Sequence, residues 1–286
     1  MPGTLYVVST PIGNLADLSL RARDTLSEVD LIACEDTRVT GKLLKRFDVE
    51  TPLVSYHEHN ERERAVDLLA RLEEGRNVAL VSDAGTPLVS DPGYRLVRAA
   101  REAGVEIRAI PGPSAVLAAL SISGLPTSRF TFAGFLPPKG KARERAIAEI
   151  ADIGHTIVLF EAGSRIQRLL TELARALGSR PTTLLRELTK LHEEHREGTL
   201  VDLAEWASRR NFKGELTLVL GGKGSELDEP EKTRASLSSL APRFLELRES
   251  GLSARAAAKL LAKEQALSSR DVYNELVGGR KSRERP

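Results

Sequence analysis

A single cysteine, Cys34, stands among 286 residues. No intramolecular disulfide and no multi-cysteine metal site can therefore form, and the chain suits a reducing compartment. No apolar run is long enough to span a bilayer, and Met1–Ser9 lacks the basic-then-apolar form of a signal peptide. The expected location is cytoplasmic. The loop after the first apolar run reads Thr10-Pro11-Ile12-Gly13-Asn14 rather than G-x-G-x-x-G, which leaves a nicotinamide-dinucleotide fold without support. G-x-x-x-x-G-K-[ST] is missing too, which argues against a P-loop nucleotide triphosphatase. His57 and His59 flank Glu58, and His192 and His195 flank Glu193 and Glu194. Neither pair has helical ligand spacing with a third matched ligand, so polar surface or substrate contact is the better reading and no metal is expected. Spacing gives no Ser-His-Asp or Cys-His arrangement, and Cys34, on an apolar run, reads as core.

What is present begins with 41% hydrophobic and 29% charged residues, enough for a sizeable core under a solvated surface. The overall charge of +2 hides an asymmetry: Glu231–Pro286 holds 12 Lys+Arg and 7 Asp+Glu, a net of +5, against −3 for Met1–Pro230. A basic tail suits a nucleic-acid contact, and equally a merely solvated end.

Short β-branched runs alternate with helical spacing through the first half. Strands are expected at Leu5–Ser9, Leu31–Glu35, Leu53–Tyr56, Val78–Ser82 and Val105–Ile110, and helices at Leu20–Val29, Thr40–Phe47, Arg62–Glu73 and Tyr94–Glu102. That alternation indicates parallel βαβ units and a doubly wound sheet over residues 1–112. Ile110–Ser114, an apolar helix Ala115–Ser121 and Ser123–Pro126 read as a hinge over residues 113–126. A second alternating region follows at residues 127–224. Its strands are expected at Phe130–Phe135, Thr156–Phe160, Thr182–Arg186 and Leu216–Leu220, with a short one near Glu197–Leu200; its helices are Arg143–Ile153, Arg165–Leu177 and Leu200–Arg210. Residues 225–233 read as a linker. Residues 234–286 read as a basic helical tail with helices Leu237–Arg248, Ala254–Lys263 and Ser268–Leu276, the latter two capped by Ser253 and Ser268, and with the makings of a helix-turn-helix.

Ligands of open α/β sheets sit beyond the carboxyl ends of strands. Three loops expected there are Thr10–Asn14, Ser82–Pro87 and Pro111–Ala115, where Gly and Pro let backbone approach a ligand and Ser, Thr and Asp add hydrogen bonds. Any one of them serves as an ordinary turn; three together favour a small-molecule cleft. Two charged runs also follow strands: Glu35-Asp36-Thr37-Arg38 and Arg186-Glu187-Leu188-Thr189-Lys190. Charges packed there are costly unless paired or used on a ligand, so they form an ion-pair tie between domains or face a substrate. Arg186 and Lys190 also suit a phosphate backbone.

Several runs carry a resemblance: LYVVSTPIGNL at Leu5–Leu15, VDLIACEDTR at Val29–Arg38, ALVSDAGTPLVSDPG at Ala79–Gly93, IPGPSA at Ile110–Ala115, SGL at Ser123–Leu125, GFLP at Gly134–Pro137, RELTKLHE at Arg186–Glu193 and KGE at Lys213–Glu215. In this order they span nearly all of Met1–Gly222. The chain resembles the tetrapyrrole-methylase superfamily, the class III S-adenosylmethionine-dependent methyltransferases, and more narrowly its branch that methylates the 2′-O-ribose of a cytidine in 16S ribosomal RNA. One departure is Gly163 in Phe160–Arg165 (FEAGSR), where the family usually has proline, so a looser loop is expected. The resemblance implies an α/β fold of two αβα domains with a cofactor cleft between them and a small helical C-terminal segment, and a homodimer. It places S-adenosylmethionine against Ser82, Asp83, Gly85, Thr86, Pro87, Leu88, Ser114, Ala115, Phe160, Glu161, Leu188, Gly214, Glu215 and Leu216. Methyl transfer from a sulfonium is a direct displacement that needs positioning but no metal or covalent nucleophile, while a base beside the hydroxyl helps. Glu35, Asp36, Glu187 and Lys190 are the candidates, and the residues do not choose among them; Arg38 and Arg186 are expected on the substrate. The implied substrate is the decoding region of 16S ribosomal RNA in the assembled small subunit. A reading of another class is a non-catalytic nucleic-acid adaptor, which would bind no S-adenosylmethionine in calorimetry.

Overall fold

Apolar β-branched runs flanked by amphipathic helices build the first sheet of this computed structural model, which describes residues 1–225, 240–264, 269–273 and 276–277. Its strands are β1 (Thr4–Val8), β2 (Leu31–Cys34), β3 (Leu53–Ser55), β4 (Val78–Val81) and β5 (Glu106–Ile110), all parallel and ordered β3-β2-β4-β1-β5. The helices α1 (Leu20–Glu28), α2 (Thr37–Arg46), α3 (Glu61–Glu73) and α4 (Tyr94–Glu102) connect them and cover both faces. β4 lies between β2 and β1 and is buried along its whole length, which its unbroken Val-Ala-Leu-Val run permits. Leu5, Leu68, Leu80 and Leu96 fill the core on one face, and Val8, Leu26, Ile32 and Cys34 fill it on the other. Cys34 is completely buried there, and burial pushes its thiol up to about 11, so it is an inert core residue.

The second sheet holds β6 (Phe130–Phe135), β7 (Thr156–Ala162), β8 (Pro181–Arg186), β9 (Glu194–Thr199) and β10 (Glu215–Leu220) in the order β6-β7-β10-β8-β9. Only β6 and β7 run parallel; the other three pairings are antiparallel. The physical reason lies in the connections: seven residues join β8 to β9, too few for a crossover, so they form a hairpin. Helices α6 (Gly140–Ala151), α7 (Ile166–Leu177) and α8 (Leu200–Ala207) cover one face, packing Leu169, Leu173 and Leu203 on Leu159, Leu184 and Leu218. On the other face sits α5 (Ala115–Ile122), whose Val116, Ala119 and Leu120 pack on Val158, Leu185 and Val219. The segment read as a hinge thus carries a helix seated on the second sheet.

Met1–Ser225 form one compact unit and Glu226–Pro286 another. In the second unit, α9 (Ala241–Glu249), α10 (Ala254–Glu264) and α11 (Ser269–Tyr273) share a small core of Phe244, Leu247, Ala258, Leu261 and Val272. Ser253 Oγ caps α10 by accepting from the Ala256 amide. Most of the expected linker, the first residues of the expected Leu237–Arg248 helix and the cap Ser268 lie outside the described residues. No helix among the described residues is long and apolar enough to cross a membrane.

Candidate active site

The three Gly/Pro loops converge. Thr10 and Gly85 exchange backbone hydrogen bonds (Thr10 N–H to Gly85 O, 2.8 Å; Gly85 N–H to Thr10 O, 3.0 Å). Thr86 joins the third loop by donating to the Pro113 carbonyl, and its hydroxyl lies 3.0 Å from that of Ser9. Gly85 has φ of 81°, a conformation open to glycine, and a Cβ there would sit 3.2 Å from Ile12 Cγ2. The loops at the ends of β1, β4 and β5 therefore behave as one rigid platform.

From the second sheet, the β8–β9 hairpin reaches the same place. An added Cβ at Gly13 would lie 2.5 Å from Lys190 Cγ, 2.8 Å from Thr189 Oγ1 and 2.9 Å from the Leu188 carbonyl, so the β1 loop packs directly on the hairpin. Gly214, with φ of 81°, makes room for the Glu187 carboxylate, which would stand 2.0 Å from a Cβ. Among the described residues, five other than glycine have positive φ, and Leu88, Ser90, Glu187 and Thr189 are four of them. Each such position costs about 1–3 kcal/mol. Strain gathered in the two loops that face each other marks a pre-organised site.

Between the loops lies a cleft of about 300 Å³. Phe135, Phe160, Ala115, Val89 and Leu188 give it an apolar side, and Phe135 and Phe160 meet at 5.6 Å between ring centres. Five carboxylates, of Glu35, Asp83, Asp91, Glu187 and Glu215, face one cation, Lys190. Burial raises the Glu35 and Asp83 carboxyls, and their neighbours' negative charges add to it. Asp91 is pushed up to about 6, first by burial and then by Glu35, Asp83 and Glu215, against a hydrogen bond from Ser82. Burial also acts to raise Glu187, but the Lys190 ammonium at 3.1 Å outweighs it and holds the carboxyl down.

The expected site residues separate into groups. Asp83, Gly85, Thr86, Ser114, Ala115, Phe160, Leu188, Glu215 and Leu216 line the cleft, as do Glu35, Glu187 and Lys190. Ser82 lies buried behind the wall, bonded to the Ala84 and Gly85 carbonyls, and Pro87, Leu88 and Gly214 shape the loops beside it. Asp36 is the N-cap of α2: its carboxylate accepts from the Arg38 amide at 2.8 Å and pairs with the Arg38 guanidinium at 2.6 Å, which holds it down at about 2. Arg38 itself has a side chain 85% exposed and does not line the cleft. Arg186 turns to the α8 side of the sheet, donating to the Lys213 carbonyl and to Glu194. Glu161 is fully buried on that helical face, paired with Arg165 at 2.7 Å and close to Arg143, so only its backbone is near the cleft side of β7.

The sequence pattern does not single out Asp91, although the run Ser90-Asp91-Pro92-Gly93 places a second turn with a carboxylate just past the Gly-Thr-Pro loop. Ile12 and Phe135, each beside a glycine, also line the cleft without any signal in the pattern that marks them. The looser loop expected at Gly163 is corrected: its amide donates to the Gly214 carbonyl at 2.8 Å, and a Cβ would stand 2.7 Å from the Phe212 carbonyl. Glycine is there because another segment presses on it, and the turn is tight.

A family profile described as Tetrapyrrole (Corrin/Porphyrin) Methylases matches residues 4–204. The chain is 47% identical over 272 residues to the ribosomal RNA small subunit methyltransferase I of Synechocystis sp., covering 95% of this chain and 96% of that one. It is 46% identical over 282 residues to the protein of that name from Mesorhizobium japonicum, covering 96% and 95%. Among solved structures, diphthine synthase superposes with a TM-score of 0.60 at 17% identity, over 76% of this chain and 89% of that one. The uroporphyrin-III C-methyltransferase of Thermus thermophilus, complexed with S-adenosyl homocysteine, gives 0.53 at 22% identity, over 77% and 97%. Those two likenesses concern the fold.

Proposed function

We propose, from the fact that this chain belongs to the tetrapyrrole (corrin/porphyrin) methylase family, that it transfers a methyl group from S-adenosylmethionine to ribosomal RNA of the small subunit. The finer reading is 2′-O-methylation of a cytidine ribose in the decoding region of 16S ribosomal RNA, on the assembled subunit, by a cytoplasmic homodimer. The observation that carries it is the cleft. Five carboxylates against one lysine suit a cofactor bearing a positive sulfonium, and the side lined by Phe135, Phe160 and Leu188 suits its purine. The names of the relatives support ribosomal RNA as the acceptor.

Asp83, Gly85, Thr86, Ser114, Ala115, Phe160, Leu188, Glu215 and Leu216 would hold the cofactor, which when bound supplies a methyl carbon activated by a positive sulfur. The chain's own residues act on the acceptor. Lys190, fixed by Glu187, holds the ribose in line. A ribose hydroxyl is a weak nucleophile, so its proton needs a destination as the new C–O bond forms. Asp91, in the cleft and at about 6, and Glu35, raised by burial, are the groups we assign to take it. Asp36 fixes the turn behind Glu35 and orients Arg38 towards neighbouring phosphates. The exposed Leu117 and Ile122 of α5 offer apolar surface to a second copy.

Purified small subunits from cells lacking the gene, incubated with the protein and labelled S-adenosylmethionine, test this. Ribose methylation at one cytidine, mapped by mass spectrometry, is expected. Label on a base, or none on RNA, would overturn the reading.

A further inference from the structure

The carboxylate-lined cleft poses a problem for an RNA substrate, because the phosphates flanking the target are repelled by the groups that suit the cofactor. Positive charge is needed outside the cleft. The helical face of the second sheet, at its β9 edge, supplies it. Trp206, half-buried on α8, has the Arg210 guanidinium 4.6 Å from its ring centre and that of Arg196 at 5.3 Å. Phe212 braces the same ring at 5.4 Å. Cation–π attraction to the ring stiffens both arginines, and a guanidinium has five N–H donors, so donors remain for phosphate oxygens.

The surroundings agree. Arg186, Arg210 and Glu194 form one network, with Glu194 at 3.1 Å and 3.7 Å from the two guanidinium groups, so one carboxylate is shared by two cations. Arg196 and the Lys213 ammonium have no carboxylate partner among the described residues, and both are exposed. The Gln167 side chain donates to the carbonyls of Ala207 and Arg210 and ties down the turn that carries Arg210. The strip also adjoins the cleft along the chain. Arg186 precedes Glu187, and Lys213 precedes Gly214 and Glu215, so each cation stands one or two residues from a carboxylate of the wall.

We propose that this strip, with Arg196 and Arg210 held over Trp206 and with Arg186 tied to the Lys213 carbonyl, holds the phosphate backbone of RNA next to the nucleotide in the cleft. The proposal rests on RNA being the substrate and adds where the RNA is gripped.

The test uses the full chain and the double variant Arg196→Gln with Arg210→Gln, with Arg98→Gln on α4 as a control of matched charge loss per site. Binding to a 20-nucleotide single-stranded RNA and to purified small ribosomal subunits is measured across salt concentrations. The double variant should bind RNA about tenfold more weakly. Its plot of log affinity against log salt should be shallower by about 1.4, the value for two phosphate contacts on a single strand. S-adenosylmethionine affinity and melting temperature should be unchanged, and Arg98→Gln should match the wild type. Unchanged RNA affinity and slope would overturn the proposal. So would weakened subunit binding with unchanged RNA binding, which assigns the strip to a ribosomal protein. If the wild type transfers no methyl group to RNA yet the double variant still loses RNA affinity, the strip stands and the methyltransferase reading falls.

Discussion

Asp91 combines a cost to the folded chain with the proposed role of base. Its carboxyl, raised to about 6 from an ordinary value near 4, adds stability below that ordinary value and loses it as pH rises through 6. Asp91→Asn carries no such charge, so above pH 6 the variant should melt higher than the wild type, with the gap narrowing towards pH 4. Discounted for partial exposure, the effect is about 1 kcal/mol, or about 2–4 °C. Methylation by the same variant should fall about 100-fold. A lower melting temperature at pH 8 in differential scanning calorimetry would contradict the sign. Lys190 is a contrasting case: its pair with Glu187 is partly exposed and contributes little stability. Lys190→Met should therefore keep melting temperature within about 3 °C and cofactor affinity within a factor of about 3, while turnover drops about 100-fold. Activity falling only in step with folded protein would make the pair a structural tie. The two residues were unequally legible. Lys190 stands out in RELTK as a cation after a strand, whereas Asp91 in a Ser-Asp-Pro-Gly turn looks like turn chemistry until burial is known.

At the scale of elements, periodicity read most of the first unit. Tyr94–Glu102 and Phe130–Phe135 have the expected ends, because a sharp apolar pattern is bounded there by Gly93 and by Ser128-Arg129. α2 begins at Thr37 rather than Thr40, since the Asp36 carboxylate caps a first turn, Thr37-Arg38-Val39, that faces solvent rather than the core. β9 begins at Glu194, earlier than its hydropathy suggests: it is an edge strand, where only one neighbour constrains polar residues such as His195 and Arg196. Strand order and direction in the second sheet were not readable from alternation, because a helix connection and a hairpin connection leave similar apolar runs. The convergence of the loops was anticipated, but what welds them, the Thr10–Gly85 bridge and the Gly13 contact with the hairpin, depends on distances. Gly85→Leu tests that weld. A side chain at φ of 81° against Ile12 should cost about 1–3 kcal/mol, and cofactor affinity should fall at least tenfold (about 1.4 kcal/mol) at a temperature where circular dichroism shows the variant folded. Unchanged affinity would move the cofactor off this loop.

Charge is unevenly distributed over the molecule, with an acidic cleft, a cationic strip on the second sheet and a tail with a net of +5 over Glu231–Pro286. Truncation after Lys232 should leave S-adenosylmethionine affinity intact, since every residue of the cleft wall lies at or before Thr217. Affinity for the small subunit at low salt should be about tenfold or more below that of the full-length protein, with a flatter salt dependence. Equal affinities of truncated and full-length protein at several salt concentrations would remove the tail from substrate binding. Legibility was lowest at this scale, because charge counts place the basic tail but not the strip, whose cations come from β8, β9 and the turn after α8. The strip has one more property. Trp206 is the sole tryptophan of the chain, so its fluorescence is a signal from one known spot, free of background from other indoles. Phosphates binding the two guanidinium groups over the ring should change its surroundings and so its emission intensity, whereas S-adenosylmethionine entering the cleft should leave it nearly constant. A stopped-flow mixing experiment on the unlabelled protein would then separate RNA docking from cofactor loading in time and reveal which comes first.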